Sequence, residues 1–113
     1  MHVMADGTVA PCHAATTIAG LRCERAPEKS LREIWESSDA FVRFRGDAWM
    51  PEPCRSCERK AIDFGGCRCQ ALALTGDATR TDPACTRSPD HALVEQALLA
   101  RAQMRYLHRG GRT

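Results

Sequence analysis

Residues 54–69 read CRSCERKAIDFGGCRC, and the spacing of the thiols in this stretch decides what kind of fold the chain can have. Cys54-x2-Cys57 is a turn that brings two sulfurs to one side of a tight loop, the arrangement by which proteins grip a metal. A metal usually wants four ligands. The next thiols come as Cys67-x-Cys69 rather than as a second C-x2-C knuckle, and Cys85 follows sixteen residues later. A C-x-C pair is expected to send its side chains apart, which implies two metal centres, or one ligand and one bystander. Gly65-Gly66 lets backbone pass close to a bulky inorganic core and turn free amides toward it. By spacing alone the pattern admits an iron–sulfur cluster, a zinc site or disulfides.

Bulk properties narrow the choice. The chain has 113 residues, 43% of them hydrophobic and only six aromatic, so one small domain with a modest core is expected. Seven cysteines supply a different staple, and their odd number argues against a disulfide framework, which would leave one thiol unpaired. The N-terminal MHVMADGTVAPC has no apolar run suited to a signal peptide, so a reducing, cytoplasmic location is expected. No stretch approaches the roughly 20 apolar residues of a membrane span. A net charge of +2 is too small to imply nucleic acid; Arg43, Arg45, Arg55, Arg59 and Arg68 are read as solvated surface rather than a basic binding face.

Local signals predict an α+β fold: a small, irregular, metal-stapled domain with an N-terminal β-hairpin, short helices and a C-terminal amphipathic helix. HVM and TVAP flank Asp6-Gly7, a turn dipeptide, and the second strand delivers Cys12. A loop containing Gly20 and Cys23 runs to Pro27. Ser30 and Glu33 form a capping-box pattern that starts a helix whose apolar face is Leu31, Ile34 and Trp35. Phe41, Val42 and Phe44 continue that packing, and Gly46 to Pro53 is a loop. Residues 68–75 read as a short helix ended by Gly76. Ser88-Pro89-Asp90 is an N-terminal signature for a last helix carrying Leu93, Val94, Ala97, Leu98, Met104 and Leu107 on one face, laid on the domain or on a partner. The expected units are residues 1–88, the cysteine domain; 89–108, the terminal helix; and 109–113, a frayed tail.

The wording of the sequence adds a resemblance. GTVAPCHAA at 7–15 and FRGDAWMPEPCRSCERKAIDFGGCRCQALALTGDATRTDPACTRSPDH at 44–91 resemble the C-terminal SPASM domain of the PqqA peptide cyclase family, radical SAM enzymes of pyrroloquinoline quinone biosynthesis. The likeness covers residues 2–95 and is specific, since WMPEPCRSC, DFGGCRCQA, LTGDA and DPAC match in wording as well as spacing. Gly7-x4-Cys12 corresponds to the G-x4-C element of such domains, and Asp63 stands where the subfamily carries aspartate in a cysteine series.

By position, the resemblance implies that Cys54, Cys57, Asp63 and Cys85 hold a distal [4Fe–4S] cluster, and Cys12, Cys67 and Cys69 a proximal cluster of unassigned type. The family pattern has a further cysteine upstream of Gly7, so the proximal set is expected to be one ligand short. In the whole family enzyme a deoxyadenosyl radical, made from S-adenosylmethionine, abstracts hydrogen from a glutamate of the peptide PqqA and a carbon–carbon bond forms to a tyrosine. The auxiliary clusters assist electron transfer and PqqD presents the peptide. The radical SAM signature C-x3-C-x2-C is absent from this sequence, so catalysis is expected to require a separately encoded barrel, with this chain a truncated, split or remnant form. The alternative is a small zinc-stabilised binding module using Cys54, Cys57, Cys67 or Cys69, and Cys85. Cys23 is expected to be a free or buried thiol rather than a ligand. His13, beside Cys12, is a weak substitute ligand, His91 is expected to be structural or exposed, and Trp35 and Trp49 are expected to pack.

Overall fold

The computed structural model describes residues 1–103. Its first element is the expected hairpin: β1 (His2–Val3) lies antiparallel to β2 (Thr8–Ala10), with Val3 opposite Val9. Met4 and Thr8 close the turn through the Met4 amide, which donates to the Thr8 carbonyl at 2.9 Å, while the Gly7 amide donates to Met4 at the same distance. Gly7 has φ +86°, and a Cβ there would meet Pro27 Cδ at 3.0 Å, so both backbone and space call for glycine.

A third strand, β3 (Glu24–Arg25), pairs antiparallel with the other edge of β2, making a three-stranded sheet in the order β1-β2-β3. Nothing in the alternation of residues 13–27 announces it. The pairing is fixed from outside the strand: Arg25 donates to the Asp6 carbonyl at 2.6 and 3.2 Å, and the Ala26 amide donates to Gly7 at 2.9 Å. Flanked on both sides, Val9 is fully buried.

Against this sheet pack α1 (Leu31–Ser37) and α2 (Asp39–Val42). The capping box is present: the Glu33 amide donates to Ser30 Oγ at 3.2 Å and the Ser30 amide to Glu33 Oε2 at 2.9 Å. Of the expected apolar face of α1 only Ile34 is enclosed; Leu31 and Trp35 are 46% and 51% exposed. A helix of two turns offers one position to a sheet this narrow, and Trp35 leans instead on Phe41, with ring centroids 5.3 Å apart. The core is Val9, Ile34, Ala40 and Phe41, with Leu21, Cys23 and Ala26 packed on it. All of it lies before residue 42.

The second half contains α3 (Lys60–Asp63), α4 (Arg68–Thr75) and α5 (Ala92–Gln103). Helix α4 has the expected limits, and Gly76 follows it at φ +79°. Helix α5 starts later than Pro89, because Ser88 to His91 form turns: the His91 amide donates to the Ser88 carbonyl at 3.1 Å, and His91 Nδ1 lies 2.8 Å from the Pro83 carbonyl. Leu98 and Leu99 are 58% and 69% exposed, so the described part of α5 does not lay its leucines on the domain. Met104, Leu107 and the tail at 109–113 lie outside the described residues. The radius of gyration is 17.6 Å, against about 13 Å for a compact domain of this length. Among the described residues no helix is long and apolar enough to cross a membrane.

Two outcomes follow for the N-terminal half. Ile34→Ala leaves a cavity at the centre of the Val9–Ile34–Ala40–Phe41 cluster and is expected to cost about 2–5 kcal/mol in denaturant unfolding. Asp39 accepts from the Arg22 amide at 2.9 Å and from Arg43 Nη2 at 2.6 Å; the amide foremost, then the guanidinium, holds its carboxyl below the ordinary value. Its stabilising effect is therefore complete above the unfolded value of about 3.9 and disappears as pH falls through the lower folded value. Asp39→Asn is expected to lower the unfolding midpoint at neutral pH, with the difference from the unsubstituted chain closing on acidification.

Candidate metal centres

Cys54 and Cys57 sit in the expected turn, with the Cys57 amide donating to the Cys54 carbonyl at 3.1 Å. Asp63 is the last residue of α3, and Phe64, Gly65 and Gly66 then take φ of 51°, 79° and 80°, a left-handed run that reverses the chain. Cys85 is presented by another turn, its amide donating to the Asp82 carbonyl at 3.0 Å. These three turns enclose a cavity of about 540 Å³, and Cys54, Cys57, Asp63 and Cys85 all line it. Side-chain contacts hold two of the thiols: Cys54 Sγ donates to Thr81 Oγ1 at 3.5 Å, and Arg87 Nη1 donates to Cys57 Sγ at 3.4 Å.

Cys12, Cys67 and Cys69 line a second cavity of about 430 Å³, walled on its other sides by apolar groups including Ile18, Trp35 and Phe41. The expected divergence of Cys67 and Cys69 does not occur. Cys67 is the extended N-cap residue of α4 and Cys69 belongs to its first turn, and both line this one space. Cys12 and Cys69 sulfurs are 3.7 Å apart, close to the roughly 3.8 Å edge of a tetrahedron with 2.3 Å metal–sulfur bonds. Burial first, then the hydrogen bond and charge of Cys12, with Cys67 behind, push the Cys69 thiol up to about 11. The Cys69 thiol therefore stays protonated at neutral pH unless a cation takes the place of its proton.

Of the remaining candidates, His13, Cys23, His91 and Trp49 line neither cavity. His13 is exposed. Cys23 packs on the core, where burial and then Asp39 raise its thiol pKa. Trp49 stacks under Arg68 at 4.6 Å and covers Gly65. Of the five arginines noted in the sequence, Arg43, Arg45, Arg55 and Arg68 all turn to backbone carbonyls, so they brace loops rather than form a binding face.

Sequence reasoning missed the two residues that join the cavities. Arg68, between the two cysteines of the C-x-C pair, donates to the Gly65 carbonyl and, at 2.9 and 2.7 Å, to those of Ala78 and Arg80. Asp82 is 6% exposed; its Oδ2 accepts the Cys67 amide at 2.7 Å and its Oδ1 the Ala84 amide at 3.0 Å. A Cβ on Gly66 would stand 2.4 Å from Asp82 Cβ, so the second glycine is there to admit this carboxylate. Asp82 thus lines the first cavity while fixing the backbone of a cysteine in the second. The Asp-Pro step before Cys85 was its only sequence signal, a turn-forming pair.

The donor chemistry can be tested against what it would hold. Among the described residues, no three His, Cys, Asp or Glu side chains converge tightly enough for a single metal ion. Three thiols and a carboxylate instead surround a space far larger than an ion, an arrangement that fits a multinuclear thiolate-held cluster. The second set offers three thiols around its own space.

A small α+β scaffold with two cysteine-lined cavities defines a metal-cluster domain. The chain belongs to the SPASM family of iron–sulfur cluster-binding domains, whose family model matches residues 1–58. Its relatives include the PqqA peptide cyclase of Ruegeria pomeroyi, 59% identical over 102 residues that make up 87% of this chain and 27% of the relative. The PqqA peptide cyclase of Xanthomonas axonopodis pv. citri is 57% identical over 97 residues, covering 86% of this chain and 26% of its own length. That of Methylocella silvestris is 53% identical over 117 aligned residues, covering 97% and 31% respectively. The chain thus spans between a quarter and a third of the length of these curated relatives.

Asp82→Asn replaces one of two acceptor oxygens by a donor, leaving the Cys67 or Ala84 amide unsatisfied. It is expected to destabilise the reconstituted chain by about 1–3 kcal/mol in denaturant unfolding, and to lower iron uptake at both centres.

Proposed function

We propose that this chain is the auxiliary iron–sulfur cluster domain of a PqqA peptide cyclase. In this reading it supports electron transfer during glutamate–tyrosine cross-linking of PqqA in pyrroloquinoline quinone biosynthesis. Cys54, Cys57, Asp63 and Cys85 hold a distal [4Fe–4S] cluster, and Cys12, Cys67 and Cys69 belong to a proximal cluster. The observation that carries the proposal is the sorting of these side chains into two separate cavities, each lined by one set. Cys85 lines the same cavity as Cys54 and Cys57, which supports a cluster domain running on to about residue 88, past the segment matched by the family model.

When bound, such a cluster supplies one-electron redox chemistry. The chain's own residues do the rest. Turns at Cys54–Cys57 and Asp82–Cys85 aim thiols inward, and Asp63 offers a harder oxygen donor that alters charge and donor strength at its corner. Gly65 and Gly66 let the backbone approach, while Trp35, Phe41 and Ile18 give the second cavity an apolar wall. Cleavage of S-adenosylmethionine belongs to the C-x3-C-x2-C motif of a radical SAM barrel and not to these cavities, and the partners of the reading are PqqA and PqqD in the cytoplasm.

The proposal is tested by anaerobic reconstitution of the chain followed by iron, sulfide and zinc analysis. Stoichiometric iron and sulfide are expected; one zinc per site without sulfide would establish the zinc-module alternative instead. Asp63→Ala is expected to change the visible and electron paramagnetic resonance spectra of the loaded chain. Unaltered spectra at equal iron content would remove Asp63 from the ligand set.

A further inference from the structure

Arg87 lies two residues beyond Cys85, and its side chain crosses back over the distal cavity to the Cys54–Cys57 turn, thirty residues earlier in the chain. Nη1 points at Cys57 Sγ from 3.4 Å, and Nη2 stands 3.6 Å from Glu58 Oε1. Both ends of the Arg87–Glu58 pair are open to solvent, the side chains being 55% and 80% exposed, so this contact is weak and screened. The contact with sulfur differs in kind. It sets a permanent cation and an N–H donor directly on a thiol that lines the cavity.

From this geometry we infer that Arg87 is a positioning residue that raises the electron affinity of the distal centre by donating to the Cys57 sulfur. The inference rests on the reading of Cys57 as a cluster ligand. Adding an electron to a thiolate-held cluster increases negative charge on its sulfurs. A hydrogen bond to a ligand sulfur and a nearby fixed positive charge both favour that reduced form, which makes the reduction potential more positive. Arginine suits the role because its guanidinium stays charged at every accessible pH and offers several donors from one planar fork. A purely structural Arg87, tying the Cys57 turn to the loop after Cys85, would affect stability and loading but leave the potential of a loaded centre where it was.

The test uses the whole chain, reconstituted anaerobically with iron and sulfide, with metal content read first and the midpoint potential then taken by spectroscopic redox titration. Arg87→Gln is expected to hold as much iron and sulfide as the unsubstituted chain while its distal potential moves negative. Arg87→Lys, which keeps the charge but loses the fork, is expected to lie between the two. An unchanged potential in Arg87→Gln at equal iron content overturns the role of Arg87 and leaves the cluster assignment standing. Should Arg87→Gln fail to load, Arg87→Lys decides, and a potential equal to that of the unsubstituted chain overturns the inference. Failure of the unsubstituted chain to take up iron and sulfide would instead remove the cluster reading, and this inference with it.

Discussion

Between Pro51 and His91 the buried side chains are Ala71, Ala78, Thr81, Asp82, Pro83 and Ser88, and everything about this half of the molecule answers to that shortage of apolar bulk. Small alanines remove little surface from water, and burial of Asp82 and Ser88 is favourable only because their oxygens are hydrogen-bonded. The N-terminal half has a conventional if small core under its three-stranded sheet. Beyond residue 50 the described chain is helices joined by turns, and the turns are brought together by carbonyls, amides and thiols. Such a segment needs an added cross-link to hold one shape, and the cysteines are placed to make it.

The two centres are built on a shared wall. The first turn of α4 carries Cys67 and Cys69 toward one cavity, and the Gly65-Gly66 reversal just before it lines the other. Arg68 holds that wall from one side, donating to three carbonyls across Trp49, and Asp82 holds it from the other through the Cys67 amide. A disturbance at either residue therefore reaches both centres. Charge is arranged around the first cavity in the same economical way, with Arg87 on the Cys57 sulfur.

Much of this was legible in the sequence where the cause is local. Ser30 and Glu33 formed the capping box, Gly7 took the turn, Gly76 followed the helix at 68–75, and the chain proved to be a small α+β domain. The sorting of cysteines came from positional likeness rather than from spacing, which had left Cys67 and Cys69 ambiguous. What could not be read was decided at a distance. Strand β3 exists because Arg25 and Ala26 find acceptors in the opposite turn, a pairing no alternation encodes. Leu31 and Trp35 fit a helical face by period, yet the sheet is too narrow to cover them. Helix α5 begins after Pro89 because Ser88 and His91 are used by the loop at 81–83. Asp82 and Arg68 looked like ordinary surface charges, and their role depends on neighbours ten or more residues away.

The central claim is that residues 54–91 owe their ordered shape to ligation at the two centres, whereas residues 2–42 owe theirs to a hydrophobic core. Amide hydrogen exchange, compared between the metal-free chain and the anaerobically reconstituted one, tests it directly. The account predicts that protection at residues 54–91 appears on loading, while the core around Val9 and Ile34 is protected in both states. Equal protection of 54–91 in the metal-free chain would contradict it.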